Sequence, residues 1–267
     1  MIIRIFFLAF GLLGIFNLPA QAQIFLEQAK VNLDVTAGEH LNGSLLVHNT
    51  STETIFIKVY WEDFEYKAPY DGTKNFLPAG TAPGSASQWV TFLPQTFNIP
   101  AYGTQKIDYA VSVPSTMNEG HYGVLFFERT SSAKLNDEAV NLVTRIGCLF
   151  FIEPKDKSKK ADLTDISLKG NSLWVDFVNQ GNATLLPHTT YYIMQEGGLV
   201  LHRGEAKKLY VPQGVSAPLE IPLKTKLGQG SYTVVVNSDL EDGDVVIKEI
   251  GLVVDSSGQI AIKNSQD

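Results

Sequence analysis

The stretch "WVTFLPQTFNIPAYGTQKIDYAVSVP", residues 89–114, places apolar and polar side chains in alternation on both sides of a short turn. In its second half the apolar residues take every other position and the residues between them suit contact with water: Ile107, Tyr109, Val111 and Val113 against Lys106, Asp108, Ala110 and Ser112. Because successive side chains of a strand point to opposite faces, this period of two predicts half-buried β-strands. The segment "PAYGT", residues 100–104, supplies the turn. We therefore predict a strand, a turn and a strand, with no catalytic motif.

The same alternation recurs along the rest of the chain. Further runs of this kind, bounded by Gly, Pro, Asn or Asp, begin near residues 30, 41, 55, 123 and 141, and more follow after residue 163. Helical periodicity is nearly absent beyond the first 22 residues. The sequence thus predicts an all-β protein built of immunoglobulin-like β-sandwiches, with about six strands in its first part and about seven in its second.

A change of composition divides the chain. Four lysines crowd into "PKDKSKKAD" directly after an apolar strand that ends in Pro154, so residues 155–162 are predicted to be a linker. A basic patch and a solvated hinge both fit this segment. Two domains of ordinary size follow from the division, residues 23–154 and residues 163–255. The polar tail of residues 256–267 is expected to be loose.

The two predicted domains share an internal repeat. Residues 35–61 and residues 167–193 each contain a Gly turn, an alternating strand that ends in Asn, a polar turn and a second apolar strand. Asn49 and Asn179 stand at corresponding strand ends, where an Asn side chain can cap a turn by bonding the backbone two residues further on. The repeat predicts two copies of one sandwich type in tandem.

The first 22 residues have the order of a secretory signal peptide. Arg4 precedes an apolar run from Ile5 to Phe16, and small residues follow at Ala20 and Ala22. The run is about 12 residues, whereas a membrane span needs about 20, so we predict cleavage after Ala22, with an uncleaved anchor as the alternative. The mature chain is then expected in the periplasm, or secreted or at the cell surface, with no membrane span. A net charge of −7 argues against nucleic acid as a partner.

Motifs of catalysis and metal binding are not found in the sequence. The five histidines are scattered without the spacing of a metal pair, and no nucleophile elbow, P-loop or dinucleotide-binding motif occurs. Cys148 is the single cysteine, which excludes an internal disulfide, and it fits a buried apolar residue better than a reactive thiol. We predict a protein that is not an enzyme and that has no cofactor and no metal site.

Two acidic clusters and one long segment have alternative interpretations. The carboxylates of "EDFE", residues 62–65, fit a solvated strand end, or less well a glycosidase pair. Those of "SDLEDGDV", residues 238–245, fit a tight turn, or a weak calcium site. Residues 67–87, rich in Gly, Pro, Ala and Ser, lack periodicity and predict a long loop that is either functional or disordered.

The order of these features resembles the PapD-like family of periplasmic pilus-assembly chaperones, in a divergent form. The resemblance runs through "AKVNLDV", "GSLLVHNTSTETIFIKVYWEDF", "FLPQTFNIPAYGTQKIDYAVSVP", "NEGHYGVLFFER" and "VNLVTRIGCLFFIEP". It implies two immunoglobulin-like domains and a protein partner, a pilus or surface subunit. It also implies that the strand before the linker binds an extended segment of that subunit by β-strand addition, in which unpaired backbone groups of an edge strand hydrogen bond to the incoming chain.

The resemblance directs attention to the strand before the linker. Leu142, Thr144 and Ile146 lie on one face of that strand and Arg145 on the other, and these four are the predicted binding residues. Either the strand offers them to the subunit or it is buried on both faces. The family holds the subunit's terminal carboxylate with two basic residues, for which Lys30 and Arg145 are the candidates here.

A different class of function also fits the composition. A secreted surface adhesion or structural module could bind glycan or protein through exposed aromatic side chains, for which the candidates are Trp61, Tyr70 and Trp89. The sequence makes no prediction of the oligomeric state.

Overall fold

The computed structural model describes residues 24–135, 138–223, 227–242 and 244–263, without the side chains of residues 131–140. The predicted signal peptide, residues 1–22, lies outside the described residues. Within the described ranges no helix is long and apolar enough to cross a membrane.

The described residues form strands only, numbered β1–β18 in chain order. Their bounds are β1 Ile24–Leu26, β2 Lys30–Val35, β3 His40–Asn49, β4 Ile55–Tyr66, β5 Lys74–Pro78, β6 Val90–Leu93, β7 Thr96–Ile99, β8 Thr104–Ser112, β9 His121–Leu135, β10 Glu138–Pro154, β11 Ala161–Lys169, β12 Ser172–Asn179, β13 His188–Gln195, β14 Val200–Glu205, β15 Ser216–Pro222, β16 Gly230–Asp239, β17 Val245–Val254 and β18 Ile260–Ile262. The all-β prediction is confirmed.

Two β-sandwiches follow each other along the chain. In the first, the sheet β1-β3-β8-β6 faces the sheet β2-β10-β9-β4-β5, and β7 pairs with the first part of β4. In the second, the sheet β11-β12-β15 faces the sheet β14-β13-β16-β17-β18. Each sandwich encloses its own apolar core because each strand turns alternate side chains inward.

The repeat predicted from the sequence is present in the pairing of the strands. In the first sandwich β3 pairs with β8, and β4 pairs with β9, which pairs with β10. In the second, β12 pairs with β15, and β13 pairs with β16, which pairs with β17. The two domains therefore share one order of central strands.

The two asparagines occupy corresponding places in this repeat. Asn49 and Asn179 are 2% and 1% exposed. The side-chain oxygen of each accepts a backbone N–H two residues on, from Ser51 at 2.9 Å and from Gly181 at 2.8 Å. Each amide nitrogen also donates to backbone carbonyls, including that of Val211 in the case of Asn179. The predicted turn caps are thus confirmed.

A large aromatic cluster fills the first core. Phe150 is fully buried, with ring centroids 5.3 Å from Trp61 and 5.1 Å from Tyr109. Gly123 of β9 lies directly under Trp61, and a Cβ there would overlap the indole ring. A glycine is therefore required where the tryptophan crosses the neighbouring strand.

The opening stretch, residues 89–114, forms three strands, because β6 precedes the two that were predicted. The two strands that flank the predicted turn, β7 and β8, do not pair with each other. β7 pairs with β4 in one sheet, whereas β8 pairs with β3 and β6 in the other. The predicted faces of β8 are confirmed, since Ile107 and Val111 are buried and Lys106 and Asp108 are exposed. The turn therefore carries the chain from one sheet to the other.

The interpretation of residues 67–87 as a loop without regular structure is wrong in part, because β5 lies within it and pairs with the end of β4. Asp63 is fully buried and holds the remainder of this segment through its carboxylate. It accepts hydrogen bonds from the Thr81 N–H at 2.8 Å, the Ala82 N–H at 3.1 Å and the Ser85 hydroxyl at 2.7 Å. These three donors offset the cost of burying the polar carboxyl group of Asp63.

The tail also differs from the expectation of a loose end. β18 lies within it and pairs with the end of β17. The Asp255 carboxylate shapes the intervening turn by accepting the N–H groups of Ser257 and Gln259 at 2.8 and 2.9 Å. Ile260 and Ile262 pack against the second core, which explains why the segment is held.

Two of the four lysines of the predicted linker form ion pairs, whereas Lys155 and Lys160 are exposed. Lys157 pairs with Asp34 at 2.7 Å and with Glu153 at 2.9 Å. Lys159 pairs with the turn before β17, at Glu241 and Asp242. These ion pairs connect the linker to both sandwiches.

Side chains of both sandwiches also meet directly. Tyr66 of β4 stacks on Tyr210 with centroids 5.2 Å apart, and the Tyr210 N–H donates to the carbonyl of Tyr70 at 2.8 Å. The Gln213 side chain donates to the carbonyl of Gly120 at 2.9 Å. The segment 67–87 thus takes part in the contact between the domains.

Candidate functional site

Strand β10 has two different edges. Along one edge it pairs with β9 in an unbroken antiparallel register from Glu138 to Ile152. Along the other edge it pairs with β2 over residues 149–154 only, and no strand of the described residues pairs with that edge over residues 142–148. At about 3.3 Å per residue, this open edge is roughly 23 Å long.

The hydrogen bonds of the paired part show which backbone groups face the open edge. The Leu149 N–H donates to the carbonyl of Ala29 at 3.0 Å, on the side of β2. Backbone groups of a strand alternate between its two edges, so those of Val143, Arg145 and Gly147 point to the same side as those of Leu149. Their N–H and C=O groups are therefore available to an additional strand.

The side chains on the core-facing side of β10 become gradually more exposed from the linker end of the strand toward residue 142. Cys148 and Phe150 are fully buried, and Ile146 is half-buried at the margin of the core. Thr144 is exposed, and Leu142 is 54% exposed. The alternative in which the strand is buried on both faces is therefore wrong for residues 142–145 and correct only toward the linker.

Arg145 lies on the outer face of the sheet and is already engaged. Its guanidinium donates to the Glu62 carboxylate at 2.9 Å and to the Tyr60 hydroxyl at 3.4 Å. It also lies 4.1 Å from the centroid of the Phe126 ring. The charge of Arg145 is thus compensated by Glu62, and its flat group covers an aromatic ring.

Lys30 lies on the same outer face but toward the second domain. It is the register partner of Leu149, and its Nζ is 4.0 Å from the centroid of the Phe151 ring. It lines a cleft of about 310 Å³ between the domains, together with Lys157 and Lys159. Four residues of β10, about 13 Å, separate Arg145 from the level of Lys30. The structure therefore does not bring the two predicted carboxylate anchors together.

The predicted acidic clusters have structural partners. Glu62 binds Arg145, and Asp63 points to the opposite face, where it holds residues 81–85, so these two carboxylates do not form a pair across one site. In the second cluster, Glu241 and Asp242 both bind Lys159. Among the described residues no group of three or more His, Cys, Asp or Glu could hold a metal ion.

Cys148 is a buried apolar residue. It is fully buried in the first core, and burial raises the pKa of its thiol to about 12. Since the thiolate is the reactive form, this cysteine is protected from chemistry at neutral pH.

The three aromatic residues predicted for an adhesion surface do not form one. Trp61 is 9% exposed in the first core, and its indole N–H donates to Asp63 at 3.2 Å. Tyr70 is partly buried against the second core, and Trp89 is half-buried with its ring 3.9 Å from that of His121. Their predicted exposure is wrong for Trp61, and the three rings lie in different parts of the fold.

Sequence reasoning missed the side chains that line the contact between the domains. Tyr122, Lys74 and Thr184 lie there, and the Thr184 N–H donates to the Tyr122 hydroxyl at 2.9 Å. Burial, followed by the charge of Glu153, raises the pKa of Tyr122, so this hydroxyl stays protonated. No local pattern marks these residues, because each is brought into place by a different strand or domain.

Comparison with solved structures identifies the architecture. A structure of a chaperone from a study of the chaperone–tip adhesin complex in CFA/I fimbriae biogenesis matches at a TM-score of 0.55, with 14% identity, over 85% of this chain and 98% of that chain. The class 5 fimbriae chaperone CfaA matches at 0.54, again with 14% identity, 85% and 98%. The fold is that of the pilus chaperones. The predicted resemblance to that family is confirmed at this level.

Comparisons by sequence give no match. No model of a known protein family and no curated protein matches the chain. At 14% identity, the structural likeness therefore shows the fold, and function has to be argued from the site.

Proposed function

We propose that this protein is a periplasmic chaperone that holds extended segments of pilus or surface subunits by β-strand addition to the open edge, residues 142–148. The observation that supports the proposal is the half-covered strand β10. Residues 149–154 are fixed by β2 and the core, whereas residues 142–148 present free backbone groups on one edge and apolar side chains. An edge of this kind favours pairing with another chain.

The open edge offers both affinity and selectivity. Val143, Arg145 and Gly147 present N–H and C=O groups, and each hydrogen bond to an incoming strand contributes about 0.5–1.5 kcal/mol net. Leu142 and Ile146 add apolar surface on the core-facing side. A client strand with apolar residues at alternate positions fits this pattern best, because its side chains would extend the margin of the first core.

The position of β2 sets where the client ends. β2 occupies the same edge of β10 from Leu149 onward, so an added strand meets β2 at Gly147 and Cys148 and cannot continue toward the linker. The fixed part of β10 thereby holds the open part in an extended conformation before binding, which lowers the entropic cost of association. On this proposal the protein acts by binding, and its partner is a protein.

The test is to co-express the chain with the exported proteins encoded beside it and to look for a defined one-to-one complex. The decisive variant is Val143→Pro, which removes an N–H that faces the open edge and is not used by β9. We expect the wild type and the control Val143→Ala to retain the complex, and Val143→Pro to lose it although its stability falls by less than about 1 kcal/mol.

Hydrogen exchange provides a second measurement. In the complex, the amides of Val143, Arg145 and Gly147 should exchange at least about tenfold more slowly than in the free protein, because each gains an acceptor. Failure to recover any client with wild type, or a Val143→Pro variant that binds as well as wild type, would overturn strand addition at this edge.

A further inference from the structure

The second sandwich has two neighbouring sheet edges of different character. Strand β15 is at the edge of one sheet and β14 is at the edge of the other. Both lie on the same side of the sandwich, since Lys207, just after β14, pairs with Glu220 of β15 at 3.7 Å. Within the described ranges β15 pairs with β12 only and β14 with β13 only, so each strand has one edge without a partner there.

The free edge of β15 is closed to further pairing. The Asn179 N–H donates to the Val215 carbonyl at 3.0 Å, so Val215 turns its backbone groups toward β12. Because these groups alternate between the two edges, those of residues 216, 218, 220 and 222 face the free edge. Two of these positions are Pro218 and Pro222, which have no N–H to donate. A further strand therefore cannot pair regularly along β15.

The free edge of β14 has no such block. The Ala206 N–H donates to the carbonyl of Thr189 on β13 at 2.9 Å, so the backbone groups of Gly204 also face β13. Those of Arg203 and Glu205 then face the free edge, where both N–H groups can donate and both carbonyls can accept. The backbone of β14 is thus open to an additional strand.

Apolar side chains lie at the beginning of this edge. Leu199, Val200 and Leu201 are 63%, 48% and 38% exposed, which makes them a run of three large apolar residues in contact with water. They follow the turn at Gly197 and Gly198, whose backbones are left-handed. A strand placed along β14 would remove part of this apolar surface from water.

The charged residues of β14 are unlike in sign and have no partners. Arg203 and Glu205 are both exposed and both lie on the water-facing side of the sheet, as register partners of Tyr192 and Thr190. Neither forms an ion pair within the described part of the chain. Charges on an edge discourage most partners, but an arginine and a glutamate two residues apart complement the same pair in an antiparallel copy.

We propose that a second copy of this chain adds to β14 as an antiparallel strand, about a two-fold axis at Gly204. This register places Arg203 of each copy opposite Glu205 of the other, so that free backbone groups hydrogen bond and unlike charges meet at two symmetric positions. An axis at Arg203 would place two guanidinium groups opposite each other, and an axis at Glu205 two carboxylates. Charge therefore selects the register, and the two β14 sheets become one continuous sheet.

Gly204 suits the position on the axis. In this register it faces its own copy in a pair without hydrogen bonds, where Cα atoms approach to about 4.5 Å. The sandwich itself requires a glycine here, because a Cβ would overlap the ring of Tyr191. With no side chain at Gly204, nothing separates the two strands on that face.

The test is sedimentation of the exported chain over a range of concentrations. A contact of so few residues is smaller than a standard interface, so we expect a dimer with a dissociation constant of the order of 10–100 µM. Arg203→Glu and Glu205→Arg should each weaken dimerisation at least about tenfold, because like charges then meet at two positions. The double variant Arg203→Glu with Glu205→Arg exchanges the charges and keeps the pairs, so its dissociation constant should return to within about threefold of wild type.

Lys106→Glu is the matched control. Lys106 is also exposed and pairs with Asp108 two residues on, at 2.6 Å, in the first domain. The substitution changes the net charge by the same amount as Arg203→Glu, and it should leave the dissociation constant unchanged. Because Arg203 and Glu205 are exposed, their variants should also keep the thermal stability of the wild type.

Hydrogen exchange locates the contact. At concentrations where the dimer forms, the amides of Arg203 and Glu205 should exchange about tenfold more slowly than in the monomer, because each gains an acceptor. The amide of Gly204, which faces β13 in both states, should not change.

Several outcomes would overturn the proposal. They are a chain that stays monomeric at about 1 mM, a double variant that dimerises as weakly as the single ones, and protection of the β14 amides by another exported protein with no dimer. A dimer that is lost in Val143→Pro and kept in Arg203→Glu would place the contact at β10 instead of β14. Client binding at β10 is measured separately, so neither result decides the other.

Discussion

The two halves of strand β10 have similar apolar composition and opposite surroundings. Residues 149–152 pair on both edges, with β9 and β2, and include the fully buried Phe150 and Ile152. Residues 142–148 pair with β9 on one edge, and their first members Leu142 and Val143 are 54% and 59% exposed. One continuous strand is thus covered on both edges along one part and open on one edge along the other.

The boundary between the two halves is set by other strands. β2 begins to pair at Leu149, and the packed core of the sandwich ends near Ile146. An apolar residue on β10 therefore belongs to the core where other strands cover it, and it is exposed to solvent where none does.

The largest difference is expected for truncation of apolar side chains in the two halves. Phe150→Ala should lower the free energy of unfolding by about 3–5 kcal/mol, because it leaves a cavity beside Trp61 and Tyr109. Leu142→Ala should cost less than about 0.5 kcal/mol, since its side chain is largely in water. Urea unfolding measures both, and a loss above about 2 kcal/mol for Leu142→Ala would mean that the open half is covered.

Proline substitutions test which backbone N–H groups of β10 face β9 and which face the open edge. Thr144→Pro removes an N–H that points to β9 and should lower the free energy of unfolding by at least about 2 kcal/mol, because it also leaves the acceptor on β9 without a donor. Val143→Pro, one residue away, removes an N–H that faces the open edge and should cost less than about 1 kcal/mol. Similar losses in thermal unfolding for the two variants would contradict the assignment of the edges.

Cys148, at the border of the two halves, gives a pH dependence. Burial raises its thiol pKa to about 12 in the folded chain, against an ordinary value of 9.0, so above pH 9 the unfolded chain loses a proton that the folded chain keeps. The unfolded state then binds fewer protons, and stability falls by up to about 1.4 kcal/mol per pH unit between pH 9 and 12. The comparison of wild type with Cys148→Ala isolates this contribution, and identical pH slopes would show that the thiol is accessible.

The smallest effect is expected for the ion pair beside the open half. Arg145 and Glu62 are 39% and 22% exposed, so Arg145→Gln should lower stability by less than about 1 kcal/mol. A double-mutant cycle with Glu62→Gln measures the coupling directly. A coupling energy above about 2 kcal/mol would mean that water is excluded from this pair.

The strands themselves were largely predictable. The runs predicted to begin near residues 30, 41 and 55 are strands that begin at residues 30, 40 and 55. The Asn49 and Asn179 caps were also predictable, since an Asn at a strand end bonds the nearby backbone. Local patterns suffice where the partners of a residue are near in sequence.

Long-range pairing escaped prediction. β5 and β18 have no clear alternation of their own and are strands because β4 and β17 offer them an edge. The separation of β7 from β8 into different sheets is a property of the sandwich and not of either segment. The positions of Lys74 and Thr184 depend on the same long-range packing.

The sequence alone determined that the chain forms two similar sandwiches, that Cys148 lies in a core, and that residues 142–146 belong to a strand before a linker. Alternation of side chains is local, so it fixes strands and their faces. Only the tertiary structure decided that the edge of β10 is open over residues 142–148, that Arg145 is compensated by Glu62, and that Lys30 lies at a cleft toward the second domain. Edges, ion pairs and clefts depend on which distant strands come together, and the alternation of side chains along one strand does not determine this pairing.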